Sequence, residues 1–152
     1  MKKALLFFSL IFLVLAAPDS QAQAVRSTNT VYKFFTTLTS TVDTIQVTNT
    51  ANAALYVKSF AGSADGVAIH ANVKYVSGTI TGFKGYVYPS NDGVNYGYTP
   101  IDSFLVKVNS GTQAYVIQGA GNKFNAPFYK LLFQGAGTGV ARITYASIIG
   151  KK

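Results

Sequence analysis

The sequence predicts an all-β protein, built as an antiparallel sandwich or barrel. Apolar and polar residues alternate with a period of two through most of the chain after residue 24. No stretch of ten or more residues there keeps a helical apolar period free of Gly, Pro or β-branched clusters. Turn-forming residues interrupt the alternation at the spacing typical of these folds, so we expect about nine short strands.

The first three expected strands are short and bounded by turn-forming residues. A polar lead precedes strand 31–38, which is rich in the aromatic residues that favour sheets. Strand 44–48 alternates the apolar Ile45 and Val47 with polar residues. An Asn-containing cluster separates it from strand 54–60, and a Gly-containing break follows that strand.

The clearest alternation predicts a half-buried strand at 67–76. We expect one face of this strand to pack in the core: Val67, Ile69, Ala71, Val73 and Tyr75. The opposite face is then polar or small: Ala68, His70, Asn72 and Lys74.

The second half of the chain predicts five further strands. Strand 79–88 ends at the turn-forming run 89–93, which contains Pro, Asn, Asp and Gly. Glycine-containing turns separate the others, which lie at 104–108, 114–118, 128–133 and 140–149.

The amino terminus has the pattern of a secretory signal. Two lysines follow Met1, an apolar run occupies 4–17, and Ala22 and Ala24 form an A-x-A cleavage site. A membrane anchor is the alternative, but spanning a bilayer takes roughly 20 apolar residues. We therefore expect a cleavable signal helix at 1–24, a single domain at 25–152, and a secreted, periplasmic or cell-surface protein with no membrane span after signal removal.

A membrane β-barrel is the other fold that suits export and alternation. Barrel strands need roughly 9 to 11 residues with a lipid-facing apolar row. Most expected strands here are shorter, and outward-facing rows hold Lys58, Lys74 and Lys107. The pattern therefore favours a sandwich.

The composition argues against catalysis. The chain has no Cys, one His and five acidic residues, all of them Asp. General acid/base chemistry needs titratable groups held together, and no sequence pattern supplies His70 with a nucleophile or carboxylate partner. We therefore expect a protein that is not an enzyme and needs no cofactor.

The basic surplus is dispersed. Thirteen Lys and Arg against five Asp give a formal net charge of +8, and removal of Lys2, Lys3 and Asp19 with the signal leaves +7. The remaining lysines are singly spaced on different strands, apart from the terminal pair. This pattern predicts solubility and attraction to anionic surfaces, not specific nucleic-acid binding.

Two Asp-Gly pairs raise the question of calcium. Asp65-Gly66 and Asp92-Gly93 lie in expected loops, and the second has Asn neighbours. Calcium takes six to eight oxygens, whereas Asp-Gly is a common turn pair. We expect turns and no metal site, with calcium at Asp92 as a weak alternative.

Two segments carry a family resemblance. Residues 82–96 (GFKGYVYPSNDGVNY) and, further along, 127–133 (PFYKLLF) with 135–143 (GAGTGVARI) resemble discoidin-like (F5/8 type C-like) β-sandwich modules and small β-sandwich virion proteins of tailed phages. The resemblance covers residues 80–150 and implies a single antiparallel β-sandwich that is jelly-roll-like. Tryptophan and cysteine are absent, and Lys130 stands where such proteins often have Arg, so no ligand-binding residue is carried over.

Tyrosines on both sides of the turn at 89–93 are the best candidate for a binding site. Alternation places Tyr86 and Tyr88 on one face of their strand, and Tyr gives apolar area with a hydrogen-bonding tip. The alternative is that half of these rings pack in the core or along strand edges. The candidate ligand-binding residues are Tyr86, Tyr88, Asn95, Tyr96 and Tyr98.

These observations predict an exported, non-enzymatic binding or adhesion module. Its partner would be a glycan, a cell surface or another protein, recognised through loops and exposed tyrosines on a rigid sandwich. The alternative is a structural subunit, such as a phage virion decoration or a surface fibre protein. A homo-oligomer is compatible with either function.

Overall fold

The computed structural model describes residues 29–48, 51–57, 60, 66–107, 110–120 and 124–151. The signal segment, Ala24, Lys58 and Asp65 lie outside these residues. No helix long and apolar enough to cross a membrane occurs in the described part of the chain. That part contains nine strands: β1 (Asn29–Phe35), β2 (Ile45–Val47), β3 (Asn52–Val57), β4 (Gly66–Ser77), β5 (Phe83–Ser90), β6 (Asp102–Val106), β7 (Thr112–Ala120), β8 (Phe128–Gln134) and β9 (Val140–Lys151).

The strands form two antiparallel sheets that share β1. In the first sheet, β9 lies between β4 and β1, β7 pairs with the far side of β4, and β2 also pairs with β9. In the second sheet the order is β6-β5-β8-β3. The first part of β1 pairs with β9, whereas Phe34 and Phe35 at its end pair with β3. The prediction of an all-β antiparallel sandwich is confirmed.

Alternating side chains of both sheets build the core. On β4 the buried residues are Val67, Ile69, Ala71 and Val73, the face that the sequence predicted. From the second sheet, β3 and β8 bury every other residue: Ala53, Leu55, Val57, Tyr129, Leu131 and Phe133. Because a strand turns successive side chains to opposite faces, the residues between these form the outer face of the second sheet.

Strand β5 does not have the predicted bounds. It begins at Phe83, since Ile80 makes only an isolated bridge to Gly137, and it continues past Tyr88 to Ser90. Pro89 is tolerated because its missing N–H would point away from β8: the carbonyl of Pro89 accepts from the N–H of Gly97, on the side opposite the β8 ladder. Proline therefore removes no ladder hydrogen bond here.

Aromatic contacts join the two sheets where β6 and β7 come together. The ring of Phe104 on β6 stacks on Tyr115 of β7, with centroids 5.4 Å apart, and meets Phe133 edge-on at 5.9 Å. The N–H of Lys107 donates to the Tyr115 hydroxyl at 2.8 Å. The end strands of the two sheets therefore cover each other, and the sandwich is nearly closed along this side.

Candidate functional site

The outer face of the second sheet carries a row of polar and aromatic side chains across three strands. Cross-strand pairing sets Tyr88 of β5 opposite Lys130 of β8, and Lys130 opposite Tyr56 of β3. Their chain neighbours Val87, Leu131 and Leu55 are buried, so alternation turns these three side chains outward. Tyr86 lies two residues before Tyr88 on the same face.

The turn after β5 brings a further tyrosine to this row. The carboxylate of Asp92 accepts hydrogen bonds from the N–H groups of Val94 and Asn95, at 2.9 and 2.8 Å, through Oδ1. Its Oδ2 accepts from the Asn95 side-chain amide at 2.8 Å, and the Ser90 hydroxyl donates to Oδ1 at 2.9 Å. Gly93 has a φ of 74°, in the left-handed region that favours glycine. This turn fixes the direction in which the chain enters Tyr96.

These hydrogen bonds stabilise the charged form of Asp92. Its pKa lies well below its ordinary value because the backbone N–H and side-chain amide of Asn95 donate to it, followed by the Val94 N–H and the Ser90 hydroxyl. The carboxylate therefore stays ionised through the neutral and mildly acidic range.

The rings and Lys130 form one continuous surface, which we call the tyrosine–lysine platform: Tyr56, Tyr86, Tyr88, Tyr96 and Lys130. The ammonium of Lys130 lies 4.8 Å from the ring centroid of Tyr88 and 4.9 Å from that of Tyr96. Tyr96 in turn lies 5.6 Å from Tyr56, and Tyr86 lies 6.4 Å from Tyr88, centroid to centroid. All of these separations are within the range of cation–π and aromatic contacts.

Two depressions flank Tyr96. The larger, with a volume of about 490 Å³, is lined by Thr36, Thr37, Leu38, Tyr56, Gly93, Val94, Tyr96 and Lys130. The smaller, of about 360 Å³, is lined by Pro89, Ser90, Asn91, Asn95, Tyr96 and Gly97. The platform is therefore a shallow, contoured surface with apolar rings and polar tips, which suits recognition of an extended ligand.

The hydroxyl oxygen of Tyr96 is buried and has no hydrogen-bond partner among the described residues. Burial raises the pKa of Tyr96 to about 12, and the neighbouring Tyr56 and Asp92 act in the same direction. The phenol is therefore neutral at physiological pH and keeps its capacity to donate a hydrogen bond.

The structure brings together three of the five residues that the sequence singled out. Tyr86, Tyr88 and Tyr96 belong to the platform. Asn95 is held in the turn by Asp92 and lines the smaller depression. Tyr98 is fully exposed, at 104% of its reference surface, and contacts no other ring of the described residues.

Two platform residues were not among the predicted site residues. Tyr56 and Lys130 follow the same alternation rule on their own strands, so each is recognisable as outward-facing. Their place beside Tyr88 depends on the pairing of β8 with both β3 and β5, which joins positions far apart in the chain. No local sequence signal carries that information.

The remaining candidates lie elsewhere or serve the turn. His70 is on the first sheet, where its ring lies 5.7 Å from that of Tyr145. Both oxygens of Asp92 accept hydrogen bonds within the turn, an arrangement that caps the turn. Within the ranges that the structure describes, no three His, Cys, Asp or Glu side chains converge to hold a metal ion.

Comparison with known proteins finds similarity at the level of structure. No family model matches the sequence, and none of the curated proteins matches it. A solved CBM4 structure is 8% identical and superposes with a TM-score of 0.51, over 72% of this chain and 72% of that chain. The chain therefore has the β-sandwich fold of a CBM4 protein.

Two further solved structures superpose on the chain with lower TM-scores. CBM29_1, a family 29 carbohydrate-binding module from Piromyces equi, is 16% identical with a TM-score of 0.48, over 83% of this chain and 92% of that one. Tailspike protein 4 of bacteriophage CBA120 is 13% identical with a TM-score of 0.47, and the match covers 83% of this chain but 18% of the tailspike.

Proposed function

We propose that this chain is an exported, non-enzymatic carbohydrate-binding module and that the tyrosine–lysine platform is its binding surface. The observation that carries the proposal is the unbroken run of contacts from Tyr86 through Tyr88, Lys130 and Tyr96 to Tyr56 on one outer face. Tyr98, which is fully exposed, has no such neighbours among the described residues.

The chemistry of the platform matches that of a sugar. A pyranose ring has an apolar face of C–H groups and a rim of hydroxyls, and tyrosine offers an apolar ring with a polar tip. The threonine hydroxyl oxygens of the larger depression and the amide of Asn95 beside the smaller one keep further hydrogen-bonding capacity for that rim, beyond the bonds that they make to Ser40 and Asp92. Neighbouring strands lie about 4.8 Å apart, so the row from β5 to β3 extends over about 10 Å.

The fold and the predicted signal support the same class of function. The CBM4 structure that shares the sandwich belongs by its name to the carbohydrate-binding modules. The predicted signal at 1–24 would place the protein where polysaccharides and cell surfaces are accessible. The finer resemblance to discoidin-like modules stays a prediction.

The proposal is tested by glycan-array screening and calorimetry on the chain without its signal, residues 25–152. We expect Tyr88→Ala and Tyr96→Ala to weaken binding of the best ligand at least about tenfold, because each removes a ring at the centre of the platform. Tyr98→Ala is the matched control and should bind like the wild type. Uniform failure across the array and across a cell-envelope fraction would contradict the proposal.

The alternative function, a structural subunit whose strands pair between chains, stays a prediction. Electron microscopy and sedimentation over a range of concentrations test it, with ordered assemblies as the result that would favour it.

A further inference from the structure

We propose that the platform prefers anionic sugars, and that Lys130 receives the carboxylate or sulfate group of a sugar ring stacked beside it. This inference rests on the proposed function, because it names the ligand class of the same surface.

The position of Lys130 is the first observation. Its ammonium lies 4.8 and 4.9 Å from two tyrosine ring centroids, so the two rings bracket the charge at the centre of the platform. Lys130 is half-buried, on the middle strand of the row. A sugar stacked on either ring would bring its substituents within reach of the ammonium.

The absence of a partner acid is the second observation. In the part of the chain that the structure describes, the ion pair present is that of Lys33 with Asp43, at 3.6 Å on the first sheet. No described carboxylate lies within salt-bridge distance of Lys130. The charge of Lys130 is therefore not neutralised by a carboxylate of the described chain.

The charge of the surrounding surface is the third observation. Lys130 is the charged residue among the eight that line the larger depression, and those lining the smaller one are all uncharged. Asp92 is the acidic residue of the turn that precedes Tyr96, and its two oxygens accept four hydrogen bonds from Ser90, Val94 and Asn95. The linings of the two depressions therefore present a cation and hydroxyl groups to a ligand, while the ionised and exposed carboxylate of Asp92 belongs to neither lining.

Lysine chemistry sets the breadth of this preference. An ammonium is a compact charge with three donors and imposes no planar geometry, so it accepts carboxylate and sulfate alike. The overall positive charge of the chain attracts any polyanion, but only weakly and without a defined site. Attraction by the overall charge depends on every basic residue, whereas the proposed site depends on Lys130. This difference makes the inference testable.

The experiment measures binding of matched ligand pairs that differ in charge. One pair is oligogalacturonides and their methyl esters, and the other is sulfated galactan oligosaccharides and their desulfated forms. We expect wild-type protein to bind at least one anionic member about tenfold or more tightly than its neutral counterpart. The pair that shows the difference identifies carboxylate or sulfate as the preferred group.

Three variants locate the effect. Lys130→Gln should bind anionic and neutral members equally, and Lys130→Arg should keep the preference. Lys84→Gln is the matched control, since Lys84 is exposed on the same outer face of β5, beyond Tyr86 and away from Lys130. Thermal unfolding of each variant checks that the fold is intact.

The outcomes separate this inference from the proposed function. Equal binding of charged and neutral members by the wild type would overturn the preference and leave the carbohydrate-binding proposal standing. A preference lost equally in Lys84→Gln and Lys130→Gln would overturn the assignment to Lys130. Failure of every ligand, together with a negative glycan array, would overturn both.

Discussion

At the scale of single residues, Asp92 determines where Tyr96 lies. Its carboxylate accepts from two successive backbone N–H groups and from two side chains, and Tyr96 follows directly after Asn95. We expect Asp92→Ala to loosen this turn and lower glycan affinity, with little effect on the core. Asp102→Ala is the matched control, because Asp102 accepts from the N–H of its neighbour Ser103 at the start of β6. Calorimetry of both variants tests this, and unchanged affinity of Asp92→Ala would contradict it.

The same carboxylate makes the stability of the turn dependent on pH. Hydrogen bonds hold the pKa of Asp92 below its ordinary value of 3.8, so the folded state binds a proton less readily than the unfolded chain. Its contribution is fully present above pH 3.8 and is lost as the pH falls through the lower folded value. Urea unfolding at neutral and strongly acidic pH should therefore show a smaller loss of stability for Asp92→Ala than for the wild type. An equal loss in both proteins would assign the acid sensitivity to other groups.

Residue-scale prediction from sequence succeeded where the rule is local. Alternation placed Tyr86 and Tyr88 on one face, and the turn residues around Asp92 indicated that the chain would reverse there. Lys130 and Tyr56 were missed because their meeting with Tyr88 depends on strand register, which is set by pairing between distant segments.

At the scale of strands, Gly85 of β5 leaves room for the ring of Phe104 on β6. The two residues are directly opposite each other, and a Cβ at Gly85 would lie within 2.4 Å of two ring carbons of Phe104. Because Gly85 has no side chain, the ring of Phe104 can occupy this space, where it also contacts Tyr115 and Phe133. Strand pattern alone did not indicate this contact, since a glycine within a strand is equally compatible with a bulge.

We expect Gly85→Ala to lower the free energy of unfolding by about 1 to 3 kcal/mol, because the ring of Phe104 must move out of its packed position. Gly97→Ala is the matched control, since a Cβ there would meet its nearest atoms at 3.5 to 3.7 Å, an ordinary contact. Denaturant unfolding of both variants measures the difference. A Gly85→Ala protein as stable as the wild type would show that Phe104 does not anchor this edge.

The bounds of the strands show the limit of local reasoning at this scale. Pro89 and Ser90 have turn chemistry in the sequence, yet they extend β5 because β8 continues to pair with them after β6 has no residue opposite. A turn residue ends a strand only if no neighbouring strand still offers a partner, and the sequence does not show which neighbours a strand has.

At the scale of the whole molecule, the two sheets make the platform a preformed surface. The rings of Tyr56, Tyr86 and Tyr88 project from strands whose other faces are fixed in the core, and the hydrogen-bonded Asp92 turn precedes Tyr96, so binding requires little ordering of the backbone. A ligand that binds only the folded state adds about 2.7 kcal/mol to stability at a free concentration of 100 times Kd. For a domain of this size that is a rise in Tm of about 10 °C.

Thermal unfolding with and without the best ligand therefore tests whether the platform is the binding surface. Tyr88→Ala should unfold near the wild-type Tm without ligand, because its ring lies on the outer face and its removal opens no cavity in the core. At the same ligand concentration, its Tm should rise much less than that of the wild type. An equal rise in both proteins would place the ligand on another surface of the sandwich, since linkage depends only on affinity for the folded state.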